Sequence, residues 1–193
     1  MRPLPVRVEG PAIAPVTLAE LKAHLRIDFD DEDAPLAVYL AAAVAHFDGW
    51  SGVLGRCLIN QQWRIDFPAF PCGGVLALPF PDVSLAAIAY SDAVDVDQAL
   101  AASAYRLVQL RGGAVLALKS GATWPETAAR PDAVRVTFTA GFGAAAPDVP
   151  ASIRTAIMLR AGDLYLKRED SSKTGGLVET LISPYCRTGL GPG

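Results

Sequence analysis

Two periods run along this chain. Residues 17–56, and again the stretch after Pro150, place apolar side chains every third or fourth position, as one face of a helix does. Residues 57–143 instead tend to alternate apolar and polar, as half-buried strands do. Thr17-Leu-Ala-Glu20 has the form of a capping box, in which the Thr hydroxyl and the Glu carboxylate satisfy amides of the first turn. It predicts a short helix with Leu18, Leu21 and Leu25 on one stripe. Asp28-Phe-Asp-Asp-Glu-Asp33 then sets carboxylates at the start of a second helix, where each offsets the helix dipole by about 0.3–1 kcal/mol. That helix is expected over about Asp31 to Trp50, stopping at Gly52 and Gly55.

Strands are expected over residues 58–67, 75–79, 84–91, 105–110, 114–119 and 134–140. Arg111-Gly-Gly-Ala114 between two of them reads as a hairpin. The last strand runs into Gly141-Phe-Gly143, and Pro147-Asp-Val-Pro150 then opens a helix expected from Pro150 to Arg168. Asp148 is its expected cap, Pro150 suits its first turn, and its length is roughly 28 Å. Residues 1–16, with Pro3, Pro5, Pro11 and Pro15, read as an extended arm. Ser171-Ser-Lys-Thr-Gly-Gly176 has the composition of a flexible linker. The apolar piece Leu177–Arg187 that follows reads as a segment that docks on something else.

The expected class is therefore α+β. A helix pair (17–56) and a C-terminal helix (144–170) form a helical bundle. An antiparallel β module (57–143) is inserted between them, and residues 171–193 form a flexible docking tail.

With 193 residues and 51% hydrophobic content, the chain can bury a sizeable core. Mean hydropathy is high, at +0.29. No window approaches the roughly 18 apolar residues of a membrane span, so no membrane contact is expected. The N-terminal stretch lacks the apolar run of a secretory signal. Cys57, Cys72 and Cys186 are widely spaced, which supports neither a disulfide framework nor a zinc site. A net charge of −3 argues against a general nucleic-acid binder.

Candidate chemistry is thin. Gly141-x-Gly143-x-x-Ala146 fits a dinucleotide-binding pattern, but Pro147 and Pro150 delay the helix that would receive a pyrophosphate. The acidic run Asp28–Asp33 lacks the spacing of a calcium loop, so a solvated helix start is favoured. His24 and His46 are the only histidines and are read as structural, His46 as a cation welcome near a helix end. No nucleophile elbow is present. Trp50, Trp63 and Trp124 are read as packing residues. No catalytic residue, cofactor or metal ligand is expected. The last helix is apolar around much of its circumference, so it is either buried in its own core or shared with neighbouring subunits, two roles that can coexist. Ile153, Ile157, Arg160, Leu164, Tyr165 and Arg168 are the expected subunit-contact residues.

The ordered set of these pieces resembles the head–tail connector (adaptor) family of tailed phages and of phage-like gene transfer agents. Thr17–Leu25, the acidic start and Gly52–Gly55 exit of helix two, and Thr139-Ala-Gly-Phe-Gly143 with Val149-Pro150 carry the likeness. So do Ala156–Glu169, with Tyr165-x-x-Arg168-Glu169, and Leu181-Ile-Ser-Pro-Tyr-x-Arg187. The long proline-rich arm and the large β insert depart from minimal members.

The resemblance implies a non-enzymatic ring of twelve subunits in the particle neck, made in the bacterial cytoplasm. It would sit between a portal protein and a tail-side stopper or tail terminator, with DNA passing through unbound. Leu181, Ile182, Pro184, Tyr185 and Arg187 are then expected to dock on the portal, with Tyr185 and Leu181 as apolar anchors. Two other classes remain open from the residues alone: a β-sandwich-like ligand-binding module using Trp63 or Trp124, and an enzyme of unrecognised type.

Overall fold

The structure is a computed structural model that describes residues 3–110, 112–166 and 175–187. The chain is mixed α and β, with four α-helices and antiparallel sheets among the described residues. It divides into two compact units. Residues 60–141 form one together with the N-terminal stretch up to Gly10; residues 11–59 and 142–187 form the other. The strand-rich segment thus interrupts the helical one in sequence, as the change of period from 3.6 to 2 implies.

In the first unit, the strands are β1 (Val6–Glu9), β2 (Gln61–Phe67), β3 (Val75–Leu78), β4 (Val83–Ser91), β5 (Asp97–Ala99), β6 (Tyr105–Leu110), β7 (Gly113–Leu118) and β8 (Val134–Ala140). One sheet runs β1-β2-β8-β4-β5 and the other β3-β7-β6, with every pairing antiparallel. β8 alternates strictly: Val134, Val136, Phe138 and Ala140 are buried while the residues between them are half exposed. They meet Trp63 and Ile65 of β2 and Ile88 of β4, and Phe80 packs on both Trp63 and Phe138. The second sheet buries Leu76, Leu78, Leu116 and Tyr105. The Tyr105 hydroxyl donates to the Ala86 carbonyl at 3.1 Å, and Gln109 donates to Val83, which ties the two sheets.

β1 lies inside the expected arm, as an edge strand on β2 with all four residues exposed. β5 is a further strand outside the expected set, also fully exposed. The β6–β7 hairpin forms where the run from Arg111 to Ala114 predicted it, although Arg111 itself lies outside the described residues.

The second unit holds α1 (Leu18–Leu25), α2 (Asp33–Phe47), α3 (Ala151–Leu166) and α4 (Gly175–Ile182). Thr17 caps α1 as expected: its hydroxyl oxygen accepts from the Glu20 amide and its own amide donates to the Glu20 carboxylate. The core of the unit joins Leu21, Leu36, Leu40, Ala43 and Phe47 to Ile153, Ala156, Ile157 and Ala161. α2 packs along α3.

α2 stops earlier than expected. Asp48 is already extended, Gly49 takes the left-handed conformation (φ 77°), and the Asp48 carboxylate accepts from the Leu58 amide at 2.7 Å. Gly52 is needed for a different reason: a β-carbon there would stand 2.5 Å from the Phe47 backbone.

The segment 175–187 also departs from expectation. It is a helix and a 3-10 turn (Ser183–Tyr185) folded onto its own unit, with Val178 and Ile182 in the core. The linker residues 171–174 and the end beyond Arg187 lie outside the described residues.

Candidate functional site

Gly143 leads into α3 through a tight turn. A side chain on it would collide with the Asp148 carboxylate, so the position demands glycine. Asp148 does not cap α3. Its carboxylate accepts from the Ala145 amide at 2.9 Å and closes the short 3-10 turn Ala146–Asp148. α3 starts from Pro150, whose carbonyl accepts from the amides of Ile153 and Arg154. The glycine-rich pattern at 141–146 is therefore filled by its own carboxylate, a poor receiver for a phosphate.

The six interface candidates fall in different places. Ile153 and Ile157 are fully buried in their own unit. Arg160 and Leu164 are half buried on the flank of the helix. Tyr165 donates to Glu32 and meets Tyr39 edge-on at 6.5 Å. Arg168 lies outside the described residues. The same helix is pinned to the N-terminal helix by Arg154, which donates to the Pro15 carbonyl at 3.0 Å and pairs with Glu20. Gly162 lets α3 approach α1, with Leu25 only 3.0 Å from where a β-carbon would stand.

The five docking candidates sit at the other end of the chain. Ile182 is buried and Leu181 is half buried against the same core. Pro184 is exposed. Tyr185 packs edge-on against Phe142 at 6.1 Å. The Arg187 guanidinium lies over the Trp50 ring at 4.9 Å, its amide donates to the Leu54 carbonyl, and its stem crosses the Gly55 turn. Burial lowers the Arg187 pKa from its ordinary value. The structure thus brings Leu181, Ile182, Tyr185 and Arg187 together, on a seat made by the chain itself.

Charged groups elsewhere are used locally. Lys22 bridges Asp30 at 2.5 Å and Asp33 at 2.7 Å, and these hydrogen bonds raise its pKa. This accounts for part of the acidic run without a metal ion. Among the described residues no group of three or more His, Cys, Asp and Glu could hold a metal ion. His46 is not the cation expected at a helix end. Partial burial and the Arg160 charge push its pKa below the ordinary value, which favours the neutral ring. Trp63 is a core residue, and Trp124 stacks flat on Phe70 while its indole N–H donates to the Gly73 carbonyl.

One feature escaped the residue pattern. A groove of about 460 Å³ runs between Pro11–Pro15 and α2. The signal for it was present, since α2 carries no Lys, Arg or Glu and no charge between Asp33 and His46.

Residues 15–69, which span α1, α2 and β2, match the family of phage gp6-like head-tail connector proteins. Over almost the whole length, the fold is similar to a chain from the neck of an empty gene transfer agent particle computed with C6 symmetry. Identity is 28%, the TM-score is 0.76 and 98% of each chain is covered. The chain resembles the head–tail connectors. A chain from the virion of a native gene transfer agent particle is similar at 27% identity and TM-score 0.77, again over 98% of each. A third, from the neck of a native particle computed with C12 symmetry, gives 28% identity and TM-score 0.73, covering 97% of this chain and 98% of that one. No curated protein matches the chain. This connector-like chain shares with the neck proteins both its helical and its strand-rich units, because the coverage leaves out almost nothing. No helix among the described residues is long and apolar enough to cross a membrane.

Proposed function

We propose that the chain is a non-enzymatic structural subunit of the neck of a tailed phage or gene transfer agent particle. It repeats as a ring of twelve between the portal and the tail-side neck protein, with DNA passing through the middle. The observation that carries this is the similarity to gene transfer agent neck chains over 98% of both partners at 28% identity. The head–tail connector match over 15–69 supports it independently. A ring arises when one heterologous contact repeats at a rotation that closes. C12 symmetry in a similar neck fits twelve copies. The chain's expected place is the particle neck.

In this reading the bundle of α1, α2 and α3 is the body and the strand-rich unit is an insert. α3 meets a neighbour through the side that carries Arg160 and Leu164, since Ile153 and Ile157 serve the core. The portal contact of residues 177–187 falls to the outward Pro184 and the half-buried Tyr185 and Arg187, with Ile182 holding the segment in place. The test is the mass of the purified protein, alone and mixed with its portal protein. A ring-sized species in either sample is expected. A strict monomer that ignores the portal would overturn the proposal.

A further inference from the structure

We propose that the outer side of α2, with the groove beside it, is the surface on which a second copy of this chain packs. This deepens the neck-ring proposal and rests on it. α2 buries Leu36, Leu40, Ala43 and Phe47 in its own unit. Its opposite side presents Ala37, Val38, Ala41, Ala42 and Ala45 to solvent, with Val38 at 65% exposure. A helix that is apolar on all sides is normally covered on all sides. Here one side is covered by the chain itself and the other is bare.

The groove continues the same surface. Pro11, Ile13 and Pro15 form one wall, and Leu18, Leu40 and Val44 line it from the helices. Ile13 is itself 44% exposed. Ala37 and Ala41 belong to both, so the cleft and the helix side form one apolar surface, and contiguous exposed apolar surface marks an interaction site.

The lining chemistry selects the occupant. No Lys or Arg lines the groove, so it offers nothing to a phosphate or a nucleic acid backbone. No side chain there donates or accepts a hydrogen bond, so a sugar or a small polar ligand would have no orienting group. What fits is an apolar protein surface, and contacts between identical subunits are more apolar than transient ones. The similar neck chain comes from an assembly computed with C12 symmetry, in which each copy faces another at a fixed rotation. A second copy of this chain is therefore the occupant to which the surface is assigned.

The test compares the wild-type chain with Val38→Glu and Ala41→Glu, mixed with portal protein and measured by native mass. Both positions are exposed, so both variants should keep the wild-type circular dichroism and melting temperature. Each should weaken ring formation by at least about tenfold, because the contact would bury an unpaired carboxylate. Leu85→Glu, on the strand-rich unit and 66% exposed, should leave the ring intact. A ring that survives both α2 substitutions overturns this contact and leaves the neck proposal standing. A wild-type chain that never forms a ring overturns the neck proposal and this contact with it. A photo-reactive side chain at Val38 in the assembled wild-type sequence gives a second readout. Cross-linking to another copy supports the contact; cross-linking to portal or to nothing overturns it.

Discussion

Glu20 shows how one side chain can carry several duties. Its carboxylate accepts from the Thr17 amide and hydroxyl and pairs with Arg154 on a helix more than a hundred residues away. Its pKa is lowered, first by the Thr17 backbone hydrogen bond; burial raises it in part, and the Thr17 hydroxyl and Arg154 lower it further. The unfolded chain therefore binds this proton more readily than the folded one. The stabilisation is present above the ordinary carboxylate pKa and lost as pH falls through about 4 and below. Urea titrations across that range should show a slope that Glu20→Gln makes shallower. His46 works the other way in charge but with the same slope. Its lowered pKa means the unfolded chain takes the proton first. Stability should decline as pH falls from about 7 towards 5, and His46→Gln should flatten that part of the curve. Neither effect is visible in sequence, where His46 simply stands near a helix end. Both causes, burial first and the Arg160 charge second, arrive only through folding.

Glycine at 143 is a second residue-scale constraint. Gly143→Ala would press its new methyl on the Asp148 carboxylate. The cost expected for forced overpacking is about 1–3 kcal/mol, read as a lower denaturation midpoint. The sequence marked this as a tight turn, though it could not say what crowds it.

At the scale of elements, α4 is where expectation and structure part most usefully. An apolar piece after a linker-like stretch looked like a free docking tail. Its amphipathic face instead completes the core, through Val178 and Ile182. Ile182→Ala should cost about 2–5 kcal/mol, measured by chemical denaturation. Deleting residues 177–193 would for the same reason unsettle the unit, so lost portal binding in that truncation would not isolate docking. Pro184→Glu alters an exposed group and leaves the core untouched. Portal affinity should fall in this variant while the melting temperature holds to within a few degrees.

Two short strands, β1 and β5, lay outside the expected set. β1 does alternate, as Val6-Arg7-Val8-Glu9, but the prolines around it outweighed four residues of period two, and β5 (Asp97-Gln98-Ala99) is too short to show a period. β8, packed on one face throughout, was legible to the residue.

For the whole molecule, the coupling of a helical and a strand-rich unit is the property shared with gene transfer agent neck chains. It leads to one expected outcome, a ring-sized species by mass on the portal. The apolar outer side of α2 adds that the ring should fail when that side is charged.

The sequence by itself determined the two periods, the capping box at Thr17, the strand-to-helix turn at Gly143 and the order of elements that resembles a connector. These are local: propensity, spacing and capping act within a few residues. Only the tertiary structure decided that Ile153 and Ile157 are core, that the 177–187 segment has a seat of its own, and that α2 leaves an apolar side bare. Burial depends on surfaces brought together from distant parts of the chain. A residue's period shows that it has a face, and only the fold shows what covers it.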